Sequence, residues 1–380
     1  MKWLSVMTLL LLTVPLFAAS EQSQYWNESP YYRITRIFET NSPAVGKPLP
    51  ELTIHDRLGH DFRLRSLKGS YTVIVFGCLT CPNFLERIGA FEGLRHDYEP
   101  KGVKFYFVYK SLAHFERNGY VSPFTLQERI MHIRQAEKRL DTQIPWLCDT
   151  MDNAMSHHMG RAPNSEFIID PDGRIVRKRA WSNPKIMRND LIELIGAVAN
   201  PTIPKNQYYQ FKPPPKVAPS GLVKRAESLR HLRPLIVKPV MEKDALPFYA
   251  KLRVDADPEF LAKGEGKSRL YLGFFLDPIH RVHWNNRAAP IRVEFETPIG
   301  MELQPMILKG PQPKHAADVD PREFLVDIKA SDLSKPFKVT VHYYACNDDE
   351  GWCLPLTQRY VVHLKRDPDG GKPLGRMLHH

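Results

Sequence analysis

Between positions 73 and 84 the chain reads Val-Ile-Val-Phe-Gly-Cys78-Leu-Thr-Cys81-Pro82-Asn-Phe84. The apolar, β-branched run 71–77 suits a strand buried on both faces. Pro82 suits the first position of a helix, where its missing N–H costs nothing. Two thiols therefore fall on a strand-to-helix junction. A thiol at a helix N-terminus meets the positive end of the dipole and unpaired N–H groups, which favour thiolate and lower its pKa. Thiolate is the nucleophile of thiol–disulfide exchange. Cys78, three residues upstream, is within reach as a resolving partner. Two inert buried thiols, or half of a zinc site, are the competing readings, but the local sequence offers no further zinc ligands. The context favours a redox Cys-x-x-Cys pair.

The surrounding pattern is α/β. Residues 52–55 and 62–67 flank an Arg57-Leu-Gly-His60 turn and read as a hairpin. A helix is expected over 82–98, with Leu85, Ile88, Phe91 and Leu94 on one face, and a buried strand over 103–109. Thr125-Leu-Gln-Glu128 is a capping box opening a helix to about Leu140. Residues 166–170 and 175–179 form a second hairpin around Pro171-Asp-Gly173. Asn183-Pro184 caps a last helix whose apolar face includes Leu191, Leu194, Ile195 and Val198. A strand–helix–strand crossover followed by an antiparallel hairpin predicts a mixed sheet flanked by helices.

Residues 200–240 are rich in Pro, Lys, Gln and Tyr and read as a semi-stiff linker. From 241 to 365, short apolar runs alternate with Pro and Gly turns, which predicts a β-sandwich. The expected organisation is a signal peptide (1–20), an N-terminal segment (21–42), an α/β domain (43–199), the linker (200–240), an all-β domain (241–365) and a polar, flexible tail (366–380). Residues 3–19 are nearly all apolar, follow Lys2 and end in Ala18-Ala-Ser20; this reads as a secretory signal rather than a span, being short and broken by Pro15. Export to an oxidising compartment, periplasmic or secreted, would permit disulfides. The net charge of +11 is spread along the chain, and no nucleic-acid motif accompanies it.

Several separated motifs carry a resemblance. Phe76-Gly-Cys78-Leu-Thr80-Cys81-Pro-Asn-Phe84 resembles the Phe-Gly-Ser-x-Thr-Sec-Pro-x-Phe segment of the iodothyronine deiodinase-like branch of the thioredoxin superfamily, with Cys81 on the selenocysteine position. Val108-Tyr109 followed by Ala113-His114 resembles the family's Val-Tyr-Ile-x-Glu-Ala-His, with Leu112 replacing its Glu. Asp149-Thr-Met-Asp-Asn153 and Ile168-Ile-Asp-x-Asp-Gly-Arg-Ile175 resemble two further motifs. The resemblance covers residues 46–196 and implies a thioredoxin-like fold with Cys81, Cys78, His114 and Thr80 as the catalytic set. Pro163 resembles the cis-proline of thioredoxin folds, and with Ala162 would position substrate backbone beside the nucleophile; an ordinary loop proline is the other reading. His114 would orient or protonate a leaving group, against an ordinary surface histidine. The pair departs from common thioredoxins, whose second Cys lies downstream, where Phe84 stands here. It departs from peroxiredoxins too, since Cys78 occupies their Thr position.

A second pair lies in Tyr344-Ala-Cys346-Asn-Asp-Asp-Glu-Gly-Trp-Cys353-Leu-Pro355, between two strand signals. It resembles the redox-active pair in the immunoglobulin-like N-terminal periplasmic domain of the thiol-disulfide reductase DsbD, with Leu356 in place of a second Pro. An electron relay to Cys78/Cys81 and a structural hairpin staple are both open readings. Cys148 reads as a core thiol or a resolving one. Met155-Ser-His157-His158-Met159 is a weak copper motif, and His280-Arg-Val-His283-Trp284 reads as an exposed loop or strand end. The favoured function is an exported thiol-disulfide oxidoreductase, with no cofactor or metal implied. Its partners would be protein or small-molecule thiols and disulfides and a thiol donor protein, with no nucleic acid and no stable membrane insertion. The alternatives are a reductive dehalogenase or thiol peroxidase with Cys81 as sole nucleophile, and a non-enzymatic binding module with structural cysteines.

Overall fold

Alternate residues of the 72–77 strand enter opposite cores. Val73 and Val75 pack on one face of the sheet, and Ile74 and Phe76 on the other. A strand buried on both faces must be central, and in the computed structural model, which describes residues 29–203, 211–226, 231–243 and 246–373, it is. The first body contains β1 (Thr53–Asp56), β2 (Asp61–Arg63), β3 (Thr72–Gly77), β4 (Lys104–Tyr109), the two-residue β5 (His114–Phe115), β6 (Trp146–Cys148), β7 (Glu166–Ile169) and β8 (Ile175–Arg179). Seven of these form one sheet in the order β2-β1-β6-β4-β3-β7-β8, with β3, β4 and β6 parallel and the rest antiparallel. Its helices are α1 (Pro30–Asn41), α2 (Pro82–Leu85), α3 (Ile88–Tyr98), α4 (Leu126–Leu140), α5 (Ala154–His158) and α6 (Pro184–Ile195).

Three features depart from the sequence reading. The single helix expected over 82–98 breaks at Glu86–Arg87, where Arg87 leaves helical geometry (φ −103°, ψ 0°) and its N–H bonds Phe84 O at 3.1 Å, a tighter i to i+3 turn. The segment 21–42 contains α1, which belongs to the first body: Phe38 is fully buried, and Tyr31 stacks on Trp181. Strand β6 sits between β1 and β4 and carries Cys148 into the core, fully buried beside Tyr109 in register. Burial pushes the Cys148 thiol up to about 12, so it is a core thiol as folded. Both expected hairpins form, and Asn183 caps α6 by accepting the Lys185 and Ile186 N–H groups. The signal-peptide expectation lies outside the described residues; no described helix is long and apolar enough to cross a membrane.

The second body is almost entirely strands: β9 (Arg233–Pro239), β10 (Ala250–Ala256), β11 (Gly266–Leu276), β12 (His283–Asn285), β13 (Arg292–Glu296), β14 (Met301–Gln304), β15 (Ile307–Lys309), β16 (Ala317–Asp318), β17 (Arg322–Ala330), β18 (Phe337–Asn347) and β19 (Trp352–Arg366), with one short helix, α7 (Pro258–Lys263). Strand β9 pairs with both β10 and β19, joining the sheet β14-β17-β11-β10 to the sheet of β19, β18, β12, β16, β13 and β15. Alternating residues such as Leu270, Leu272 and Phe274 from one sheet, and Val339, Val341 and Tyr343 from the other, share one core. This is the expected all-β sandwich. It begins earlier than expected, because β9 lies inside the stretch read as linker. The 366–380 tail also departs from expectation: its described part is docked, with β20 (Lys372–Pro373) pairing in parallel with β5.

The two bodies pack together. Phe124, preceding α4, meets Phe248 and Tyr360 of the sandwich. Glu128 of α4 pairs with Lys251 of β10 and with His280. Phe115 packs on Phe275 under the Arg253 guanidinium, and Arg225, in the former linker, bridges Glu116 and Glu323.

Candidate active site

The thiol pair occupies the turn between β3 and α2. Gly77 is required by packing here: a Cβ on it would lie 2.4 Å from the Phe84 ring, which crosses the strand end. The Cys81 N–H bonds Cys78 O at 3.3 Å, Cys81 is the N-cap of α2, and Pro82 takes the first helical position. Neither cysteine is paired in a disulfide. The rest of the turn is held by the segment after β4. Ala113 N–H donates to Cys78 Sγ at 3.3 Å, and Thr80 Oγ1 lies 3.3 Å from the same sulfur. His114 N–H donates to Thr80 Oγ1 at 3.2 Å, and Asn118 Nδ2 donates to Leu79 O at 2.8 Å. Cys78, Cys81, Thr80 and His114 are thus brought together, with His114 reaching the turn through its backbone.

A buried cation also serves the site. Lys110, at the end of β4, donates from Nζ to Ser156 Oγ (3.0 Å) and Ala162 O (3.1 Å). Burial pushes the Lys110 pKa down, while Cys78, Asp369, Asp149 and Cys81 act to raise it. Its surroundings explain the Asp149–Asn153 motif. Asp149, fully buried, accepts the N–H groups of Thr150, Met155 and Ser156, and Asn153 Oδ1 accepts those of Ser111 and Arg129. The motif therefore fixes the loop that carries Lys110. Lys110 was missed in the sequence; its signal is a charge closing the apolar run Phe105-Tyr-Phe-Val-Tyr109.

The expected acidification of Cys81 is reversed. Cys81 is 3% exposed, and burial together with the neighbouring Cys78 pushes its pKa up to about 12. The Phe84 and Asn83 N–H groups and Lys110 act in the opposite direction but lose to desolvation. The helix expected to supply the dipole is only four residues long. In this closed arrangement Cys81 is a thiol. The Ala162–Pro163 bond is also not as expected: it is trans, and among the described residues only Gln304–Pro305 is cis. The segment is held by side chains, with Lys110 on Ala162 O and Asn164 Nδ2 donating to Phe76 O at 2.9 Å. It nonetheless flanks the thiol turn.

Behind the turn, Tyr109 Oη lies 2.9 Å from His132 Nδ1, while His132 Nε2 is buried without a hydrogen-bond partner among the described residues. Burial drives the His132 pKa down to about 3, with nearby Lys251, Arg129 and His280 adding to the effect and Glu128 opposing it. A histidine held neutral in the fold and protonated near 6.5 when unfolded gives stability that is complete above pH 6.5. That stability is lost as pH falls toward 3. Acid unfolding of the wild type should therefore show this slope between pH 6.5 and 3, on the order of 5 kcal/mol in full, and His132→Gln should flatten it. An unchanged slope in urea titrations across that range would remove His132 from the account.

Cys346 and Cys353 form a disulfide between directly paired positions of β18 and β19, with Cα atoms 4.0 Å apart. Cys346 is buried and Cys353 is exposed. The His280–His283 segment, expected as an exposed loop or strand end, does run into the start of β12 but is not exposed. His280 contacts Glu128, and His283 is buried on β12 opposite Cys346. Glu128, Asp277 and His280 present ligand-type atoms to one another, but the Lys251 ammonium contacts both carboxylates, so a cation already occupies the cluster. His157 and His158 diverge, one to Asp369 and one to Ala154 O, which removes the copper reading.

A central parallel strand delivering a thiol pair to a helix start, in a mixed sheet closed by an antiparallel hairpin, defines a thioredoxin-like domain. The sequence is in keeping with this fold: residues 45–178 match the model of the AhpC/TSA family. Among solved structures, a thiol:disulfide interchange protein from Bacteroides sp. is 16% identical, covering 41% of this chain and 93% of its own, with a TM-score of 0.33. A thiol-disulfide oxidoreductase from Bacteroides fragilis is 15% identical over 39% of this chain and 99% of its own, with a TM-score of 0.31. An uncharacterized conserved protein from Geobacillus kaustophilus is 20% identical over 42% and 87%, with a TM-score of 0.32. No curated protein matches the sequence.

Proposed function

We propose that the protein is an exported thiol-disulfide oxidoreductase working through Cys81 and Cys78. The observation that carries the reading is two unpaired cysteines on one strand-to-helix turn, with Cys81 at the helix cap and a buried lysine near the pair. The Cys81 thiolate attacks one sulfur of a substrate disulfide, forming a mixed disulfide and releasing the other sulfur as thiolate. Cys78 thiolate then attacks Cys81 Sγ, expelling the second substrate thiolate and leaving a Cys78–Cys81 disulfide. The substrate gains two electrons, and a dithiol donor must return them to the enzyme. Lys110 offsets the negative charge that appears on the sulfurs. Ala162–Pro163 flanks the turn as the substrate-positioning segment, and Thr80, bonded to Cys78 and to the His114 backbone, holds the resolving thiol in place.

The Cys346–Cys353 disulfide is a second dithiol for relay, a reading favoured by the exposure of Cys353, which leaves one sulfur open to attack. A redox titration with alkylation trapping and peptide mapping tests both ideas. Cys78–Cys81 should form reversibly at about −120 to −270 mV, the range of known exchange proteins. A pair that never forms moves the single-nucleophile readings, dehalogenase or peroxidase, ahead. A Cys346–Cys353 bond that resists reduction throughout the range is a staple, not a relay.

A further inference from the structure

Residues 367–373 run along the loop that holds the thiol turn. After β19 the Asp367 N–H bonds Pro234 O, and the backbone then leaves the sandwich for the first body. Asp369 accepts from His157 Nε2 at 2.7 Å and from Arg161 at 3.3 Å, on the flank that carries Ala162. Arg253 of β10 donates to Gly370 O and Gly371 O, holding the segment from the sandwich side. Gly371, at φ +65°, runs so close to the thiol-holding loop that a Cβ would lie 2.8 Å from Leu112 O and 3.1 Å from Phe115 N. Strand β20 then pairs in parallel with His114 and Phe115. The loop it touches is the one whose Ala113 and His114 N–H groups hold Cys78 and Thr80. With this segment in place, Cys78 and Cys81 are 1% and 3% exposed.

We propose that the Leu112–Phe115 edge is the docking site for an extended polypeptide carrying the substrate disulfide, and that residues 367–373 are a built-in occupant that must leave first. This rests on the exchange reading above and names its substrate class. The occupant itself argues for the class: it is an extended strand engaging the edge through main-chain atoms, which is how an added peptide strand binds a sheet edge. Its hold is light enough to exchange. Beyond a few main-chain bonds and the Arg253 contacts to its carbonyls, it relies on the Asp369 pairs, and partly exposed pairs of this kind contribute about 0–1 kcal/mol each. Such segments sit at the low-stability end of a fold and open first. Departure of the strap would also hydrate Cys81, the condition its thiolate needs.

The test compares the wild type, a chain ending at Arg366, and full-length Gly371→Val, all reduced and confirmed folded by circular dichroism. Both variants should be alkylated at Cys81 by iodoacetamide about 10-fold faster or more, as expected when local opening limits access. The amides of Leu112–Phe115 should lose hydrogen-exchange protection. A synthetic peptide of residues 367–380 should restore slow alkylation to the shortened chain. Exchange with a linear peptide whose single Cys is blocked as a thionitrobenzoate mixed disulfide should accelerate more than exchange with oxidised glutathione. Wild-type alkylation rates in both variants would overturn the strap, and Gly371→Val alone decides the matter if the shortened chain fails to fold. Equal acceleration of peptide and glutathione would overturn the polypeptide assignment. Alkylation and hydrogen exchange do not depend on catalysis, so failure of the exchange reading would appear separately, as faster alkylation without turnover.

Discussion

Cys81→Ser is expected to reduce disulfide exchange to background, a loss of roughly 10³-fold or more, because a serine hydroxyl supplies no thiolate and its partner lacks the helix-cap position. Cys78→Ser is expected to behave differently. It should retain the first attack and accumulate a covalent mixed disulfide between Cys81 and its substrate, because the second displacement has lost its nucleophile. The asymmetry follows from the turn. Cys81 receives the Asn83 and Phe84 N–H groups, whereas Cys78 receives Ala113 N–H and is tied to Thr80. Mass spectrometry of each variant after incubation with a disulfide-containing protein reads the outcome directly. Trapping on Cys78 in Cys81→Ser would swap the roles. Undiminished turnover by Cys78→Ser with an external thiol would favour a single-nucleophile enzyme, the chemistry implied by the deiodinase-like motif.

Local rules carried the reading of the first body far. The 71–77 run, the Thr125 cap and the Asn183-Pro184 start each specify structure within a few residues, and each element begins where its own sequence places it, although the last helix ends at Ile195, short of the Val198 expected on its apolar face. The capping box forms only in part: Thr125 accepts Glu128 N–H, but the Glu128 carboxylate turns to Phe124 N–H and to Lys251 of the other body. No local pattern announces a partner 123 residues away. The same limit applies elsewhere. Helix α1 is visible only as Ile34 and Phe38 one turn apart in an aromatic segment, and β6 is too short for a periodic signal. The expected low pKa of Cys81 followed from a long helix and an open thiol. The fold supplies a four-residue helix and a covered one, and burial outweighs the cap. Lys110, Asp369 and β20 belong to the site through tertiary placement, which composition and spacing do not encode.

The second large effect concerns the contact between the bodies. Lys251 is 1% exposed on β10; its ammonium pairs with Glu128, lies 3.8 Å from Asp277 and sits 4.8 Å from the Phe124 ring centroid. Burial raises the Glu128 pKa, but His280, Lys251 and the Phe124 N–H outweigh it and hold the carboxyl down to about 2, whereas burial lifts Asp277 to about 6. Lys251→Met keeps the volume and removes the cation, leaving Glu128 and Asp277 facing only His280. Breaking a buried pair in this way costs about 3–5 kcal/mol, most of it the uncompensated carboxylate left behind. The sign with pH follows from Glu128. A carboxyl whose folded pKa is depressed stabilises above its unfolded value near 4.5 and loses that contribution as pH falls toward 2. The gap between wild type and variant should thus be widest above pH 4.5 and close in acid, where the stranded carboxyl protonates. Adding Glu128→Gln should recover most of the loss at neutral pH, since the amide still accepts the Phe124 N–H without a charge to strand. Urea unfolding of the full chain reads all three variants. A Lys251→Met deficit below about 1 kcal/mol at pH 7, the value of an exposed pair, would mean that the charges meet water and that the two bodies are not docked as a unit in solution.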